Sequence, residues 1–242
     1  MNNKFIKDIL DANINLSWKE KLAVKFTNLF NKNKFFHLQY KKRTMISVER
    51  GINLYHMLNQ TVNANIPGEV VELGCYEGIT AIIMQKTLDK LKSKKDLHVF
   101  DSFQGIPGTD INDGKILKKG AIYTNKETLV NNFEKFRTKK PVIHEGWFDK
   151  TLKNLPKKVC FAHLDANLCS STKLALEKVY PRVSKGGIIL IDDYCGQDFN
   201  KPYNRIPGVK KACDEFFSNK ETVKVLISTS FDGINQGFIK KE

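Results

Sequence analysis

The chain has 242 residues, 41% of them apolar, and carries 40 lysine plus arginine against 26 aspartate plus glutamate, a formal charge of +14. That size suits one large α/β domain with an appendage, and no apolar run nears the roughly 20 residues that cross a bilayer. Only five of the basic residues are arginine and no arginine-aromatic stripe accompanies them. The charge therefore reads as a lysine-rich solvated surface, suited to a phosphorylated or nucleotide-linked substrate rather than to nucleic acid.

The polar N-terminus lacks a signal-peptide core. The five cysteines (Cys75, Cys160, Cys169, Cys195, Cys213) are scattered and lack CxxC spacing, which argues against a disulfide framework and a zinc site. A cytoplasmic protein without a membrane span is expected, built as a helical extension over 1–66 and an α/β domain over 67–242.

In residues 17–31, Trp18, Leu22, Phe26, Leu29 and Phe30 recur near helical spacing, which predicts an amphipathic helix against the main domain or a partner subunit. A second helix is expected from about 44 to 62 on Ile46, Ile52, Leu54, Tyr55 and Leu58. Its polar entry, 41–45, either covers a site from outside or is only a solvated basic turn. After the breaker at 63–68, residues 69–80 read as strand, glycine turn and helix. Gly74 and Gly78 allow close backbone approach, but a third glycine is missing and Glu72 is acidic. Both facts disfavour a pyrophosphate site and suit a ligand with an ammonium and hydroxyls, unless the turn is plain scaffold.

The next strand, 97–101, ends in Asp101, placed to meet a ribose diol. Residues 102–120 read as a long polar loop, either a lid or a disordered excursion. A helix at about 126–136 leads to a third strand, 141–148, where Trp147 or Phe148 flanks an adenine ring or fills the core. A short helix at 149–155 ends at Pro156.

Residues 159–194 organise the rest. One strand-like run, 160–167, holds His163, Asp165 and Asn167; a helix to Tyr180 follows, with Ser170, Ser171 and Thr172 as its N-cap cluster; a second strand, 187–193, ends in Asp192 and Asp193. In a parallel sheet, ligands gather beyond the carboxyl ends of the strands. Asp165, Asp192 and Asp193 would meet there, and their mutual repulsion calls for a hard divalent cation such as Mg2+. A helix at about 209–217 and two strands at 222–229 and 236–240 close the chain as an antiparallel hairpin.

The set Val71-Glu72-Leu73-Gly74, Phe100-Asp101-Ser102-Phe103-Gln104-Gly105-Ile106-Pro107, His163-Leu164-Asp165-Ala166-Asn167-Leu168 and Ile191-Asp192-Asp193-Tyr194 closely resembles the macrocin O-methyltransferase family. These enzymes methylate sugar hydroxyls with S-adenosylmethionine and a divalent metal. The resemblance, running from about residue 43 to 216, implies the Rossmann-like class I methyltransferase fold: a mostly parallel seven-stranded sheet with a C-terminal antiparallel hairpin and an N-terminal helical cover. It places Met45, Glu72, Gly74, Tyr76, Gly78, Thr80, Asp101, Ser102, Gly146, Trp147 and Asp165 around the cofactor. It makes Asp165, Asp192 and Asp193 the ligands of Mg2+ or another cation such as Mn2+. A sugar or nucleotide-sugar acceptor and a homodimer or higher homo-oligomer are the partners expected.

One departure stands out. Where the family motif has a second aspartate as general base this chain has Asn167, and Cys169 replaces the tyrosine that usually follows. A neutral amide does not remove a proton. Either the metal activates the hydroxyl, or another base such as His163 or His144 acts, or activity is weak, altered or lost. The competing readings are a methyltransferase-fold binding protein and an RNA methyltransferase, with a metal-dependent hydroxylase behind them.

Overall fold

The computed structural model describes residues 46–226 and 233–242. The expected helix over 17–31, the entry 41–45 with Met45, and the end of the first hairpin strand, 227–229, lie outside the described residues. Helix α1 (Val48–Asn63) starts later than the periodicity suggests. Ser47 has extended backbone and its hydroxyl accepts from Arg50 N at 3.3 Å, satisfying a first-turn donor that has no helical partner.

The chain continues through β1 (Glu69–Leu73), α2 (Ile79–Lys90), β2 (Leu97–Asp101), α3 (Lys126–Lys135), β3 (Val142–Glu145) and the short α4 (Phe148–Thr151). It then forms β4 (Val159–Leu164), α5 (Cys169–Val179), β5 (Val183–Cys195), α6 (Pro207–Phe217), β6 (Lys224–Leu226) and β7 (Asn235–Lys240). These strands make one seven-stranded sheet in the order β3-β2-β1-β4-β5-β7-β6. The first five pair parallel, whereas β7 runs antiparallel to both β5 and β6, as the sequence suggested for a terminal hairpin. No helix among the described residues is long and apolar enough to cross a membrane.

Alternation along the strands fills two cores. Val70, Phe161 and Leu190 face one side with Leu54, Leu58, Met84 and Phe133. Val71, Leu73, Ala162 and Ile189 face the other with Leu176, Val209 and Phe217. Burying each such large apolar side chain contributes roughly 1.5–3 kcal/mol before the entropy of ordering is charged against it.

From β1 the chain winds outward to β2 and β3, then returns to place β4 on the other side of β1. That reversal opens a crevice at the carboxyl ends of β1 and β4, where open α/β sheets hold their ligands.

The N-cap of α5 differs from the sequence expectation. Leu168 occupies the cap position without a side-chain bond, and the Thr172 hydroxyl is buried with no hydrogen bond among the described residues. The cap comes instead from Asp113 in the loop after β2. Fully buried, it accepts from Cys169 N through Oδ1 at 2.6 Å and from Asp110 N through Oδ2 at 3.0 Å. Gly208, at the start of α6, leaves room for this contact, since a Cβ there would lie 2.6 Å from Asp113 Oδ1. Asp113→Ala is expected to cost about 1–2 kcal/mol of stability, the range for losing an N-cap. A denaturant midpoint unchanged from wild type would show that the cap contributes nothing.

Candidate functional site

The site starts at the tips of β1 and β4. Gly74 N donates to Phe100 O on β2 and Asp165 N donates to Leu73 O on β1, each at 2.9 Å, so the β1 turn is tied to β2 and the β4 turn to β1. Gly74 has φ 84°, and a Cβ on it would stand 2.1 Å from Asp165 O. Only glycine serves here. Asp101 then fixes the turn from the side. Its Oδ2 accepts from Cys75 N and Tyr76 N at 2.9 Å each, and its Oδ1 accepts from Phe103 N at 2.8 Å. The carboxylate that sequence reading placed on a ribose is thus first an organiser of two loops, with lone pairs left over for a ligand.

Above these turns lies a cavity of about 820 Å³, at the upper end of small-molecule sites. Of the residues singled out from sequence, Gly74, Tyr76, Asp101, Ser102, Trp147, Asp165, Asn167 and Asp193 line it. The loop after β2 roofs it with Ile106, Pro107, Ile116, Leu117 and Ile122, which gives the predicted lid an ordered apolar underside. Glu72, Gly78, Thr80, Gly146, His163 and Asp192 are not among the lining residues. Sequence reading missed Arg50, Ser170, Ser171, Tyr203 and Arg205, which do line the cavity. A signal existed for Arg50: it shares the four-residue spacing of Leu54 and Leu58, an arginine on an otherwise buried helical stripe.

Glu72, His163 and Asp192 belong to a buried polar row that crosses the sheet under α1. His163 Nδ1 is 2.8 Å from Glu72 Oε1 and its Nε2 is 3.2 Å from Asp192 Oδ1, with all three side chains sealed from solvent. Gln236 on β7 donates to Asp192 at 2.5 Å and accepts from Asn53 at 3.0 Å. Arg50 reaches Asp192 Oδ2 at 3.4 Å and Asp193 Oδ1 at 3.0 Å. Burial alone would lower the imidazole's pKa, but Asp192 and Glu72 outweigh it and hold His163 well above the usual histidine value. The ring lies between the Glu72 and Asp192 side chains, one at each nitrogen. For Asp192, burial works upward, yet His163 and Arg50 prevail and hold it well below the usual carboxylate range. Burial and the neighbouring Asp192 and Asp193 push Asp165 well above that range.

Neither histidine offered as a base lines the cavity. His163 is walled off from the cavity, and His144 stacks on Phe100 with ring centroids 4.2 Å apart and meets His98 at 3.0 Å on β2. No imidazole lines the cavity among the described residues.

The acids also bear on a metal. Among the described residues no three ligating side chains are drawn together in a coordination cluster; Asp192 and Asp193 share the Arg50 guanidinium instead. The donor type nevertheless suits a hard divalent cation. Asp165 and Asp193 both line the cavity, so two of the three carboxyl groups border the space such a cation would occupy.

Comparisons with known proteins agree with this architecture. The family model of the macrocin-O-methyltransferases matches residues 36–230. Demethyldecarbamoylnovobiocin O-methyltransferase of Streptomyces niveus is 29% identical over 202 residues, covering 79% of this chain and 74% of that protein. A tetracenomycin 4'-O-methyltransferase of Streptomyces olivaceus, whose name specifies a 2,3-dimethoxy-alpha-L-rhamnosyl acceptor, is 30% identical over 162 residues, 62% of each chain. Among solved structures, the O-methyltransferase NovP superposes with a TM-score of 0.68 at 25% identity, over 82% of this chain and 81% of that one.

Proposed function

The chain belongs to the macrocin-O-methyltransferase family, and from that premise we propose that it transfers a methyl group from S-adenosylmethionine to a sugar hydroxyl. The observation that carries the reading is the cavity at the β1/β4 reversal, with Asp101 and Trp147 together with Asp165, Asn167 and Asp193 on its walls. One enclosure of that volume has room for a nucleoside cofactor and an acceptor side by side.

In this proposal the Gly74–Gly78 turn and Tyr76 hold the methionine end, Asp101 and Ser102 the ribose, and Trp147 the adenine. Glu72, Gly78, Thr80 and Gly146 act from behind, by shaping the turns on which those groups stand. Asp165, Asp192 and Asp193 would hold a divalent cation, Mg2+ or Mn2+, which when bound supplies Lewis-acid lowering of the acceptor hydroxyl's pKa. The apolar roof from the loop after β2 excludes water. Methyl transfer then depends mainly on holding oxygen, methyl carbon and sulfur in line.

Asn167 has a specific part in this. Its backbone is left-handed, φ 61°, and its Nδ2 donates to Asp165 O at 3.3 Å. A neutral amide placed there orients an acceptor hydroxyl by hydrogen bonding and takes no proton.

The test is methyl transfer to a panel of sugars and sugar nucleotides, with added Mg2+ and with chelator, for wild type, Asn167→Ala and Asn167→Asp. Asn167→Ala is expected to stay within about tenfold of wild type, because a true general base contributes roughly 10²–10⁴-fold. Chelation is expected to abolish turnover in all three. Cofactor binding with no transfer to any sugar would overturn the acceptor class. Turnover indifferent to chelator would remove the metal from the reading.

A further inference from the structure

The rim of the cavity carries charge that methyl transfer itself does not require. Arg205 lines the cavity from the segment between β5 and α6 and is exposed. Arg50 and Arg182 are committed to protein oxygens: Arg50 to Asp192 and Asp193, Arg182 to the Leu155 and Pro156 carbonyls. No such partner engages Arg205 among the described residues.

Across from it, a Cβ on Gly114 would lie 3.1 Å from the Pro207 ring and 3.4 Å from Arg205 O, so the roof loop is packed directly against the Arg205 segment. Lys115 and Lys118 flank Ile116 and Leu117, which line the cavity, and Lys119 follows in the same loop. The three lysines are exposed and in no ion pair among the described residues. Elsewhere on the surface lysines do find acids, as in Lys126 with Glu145, Lys139 with Asp96, and Lys140 with Glu134. Acids near the rim are already engaged. Asp113 caps α5, Asp110 accepts from Asn112 N, and Asp149 pairs with Lys150.

We propose, resting on the sugar-methyltransferase reading, that the acceptor carries a phosphate ester outside the methylated ring, and that Arg205 with Lys115, Lys118 and Lys119 receives it. An arginine binds phosphate in a fixed fork and lysines supply mobile point charges around it. One arginine alone matches a single carboxylate. Three further uncompensated cations match the higher charge of a phosphate or diphosphate, and they draw such a substrate toward the opening. The acceptor is therefore a sugar phosphate or a sugar nucleotide, methylated before the sugar is transferred onward.

The test uses the full chain and calorimetric titration with S-adenosylhomocysteine present. The probes are uridine 5'-diphosphate, uridine, inorganic pyrophosphate and glucuronate. Uridine diphosphate is expected to bind at least tenfold more tightly than uridine or glucuronate. Arg205→Ala is expected to weaken it about tenfold or more, with Arg205→Lys intermediate. The combined Lys115→Ala, Lys118→Ala and Lys119→Ala variant is expected to flatten the salt dependence of binding. Pyrophosphate binding as well as the nucleotide would identify sugar phosphates as the source, and weaker binding would identify sugar nucleotides; both support the rim. Equal affinity for uridine and uridine diphosphate overturns it, as does an Arg205→Ala variant, folded by thermal melt, that binds like wild type. S-adenosylhomocysteine titrated alone reports on the methyltransferase reading separately: no binding there sinks that reading whatever the phosphate probes do.

Discussion

Replacing His163 by alanine is expected to lower the unfolding free energy by about 3–5 kcal/mol, the cost of removing one partner from a buried ion pair. Glu72 and Asp192 would then face each other across a sealed gap, keeping Gln236 and Arg50 on the Asp192 side only. For a domain stable by about 5–15 kcal/mol this is a large fraction of the total. The effect also has a pH signature. His163's folded pKa lies well above its unfolded value of about 6.5, so its contribution is fully present below 6.5 and is lost as pH rises through the higher folded value. Denaturant unfolding of wild type and His163→Ala should therefore show the widest gap near pH 6 and a narrowing gap toward alkaline pH. A gap that stays constant from about pH 6 to 9 would mean the imidazole is neutral in the row, and the account of its neighbours would fail with it.

Gly74→Ala is expected to lower turnover by about 100-fold, the penalty for displacing reacting groups by about an ångström. A methyl at Gly74 cannot coexist with Asp165 O at 2.1 Å. One of the two turns must retreat, and with it go Asp165 and the Asn167 amide that leans on it. The left-handed backbone, φ 84°, adds strain for any side chain. Gly108→Ala is the control, because a Cβ there meets nothing within 4 Å; it should leave both turnover and melting temperature unchanged. Steady-state rates for the two variants, alongside thermal melts, separate a misplaced site from an unfolded chain. Wild-type turnover in Gly74→Ala would mean that the β1 and β4 turns are not the framework of the site.

Much of this was legible in the sequence because it is local. The runs ending at Leu73, Phe100 and Leu164 are short, apolar and followed by glycine or an acid, so strand, tip and turn could be read together. What escaped reading depends on contacts distant in sequence. The α5 cap was sought in Ser170, Ser171 and Thr172, yet it is held by Asp113 from a loop whose polarity suggested only a lid or disorder. Glu72 looked like a cofactor ligand because an acid after a strand commonly is one. Its inward orientation follows from Val71 and Leu73 taking the opposite face, and its partner His163 from the β1/β4 register. Arg205 sits in an irregular stretch with no periodicity to mark which way it faces.

The placement of β7 has a consequence for the order of assembly. It follows β6 along the chain but lies between β5 and β6 in the sheet. Strand β6 is hydrogen-bonded to β7 alone, so it joins the sheet only through the strand that docks on β5. Because β7 also delivers Gln236 to Asp192, the same zipping event that gives β6 its seat completes the hydrogen bonding under the site. A probe on the sheet edge and a probe on the Gln236–Asp192 contact would therefore report the same docking of β7.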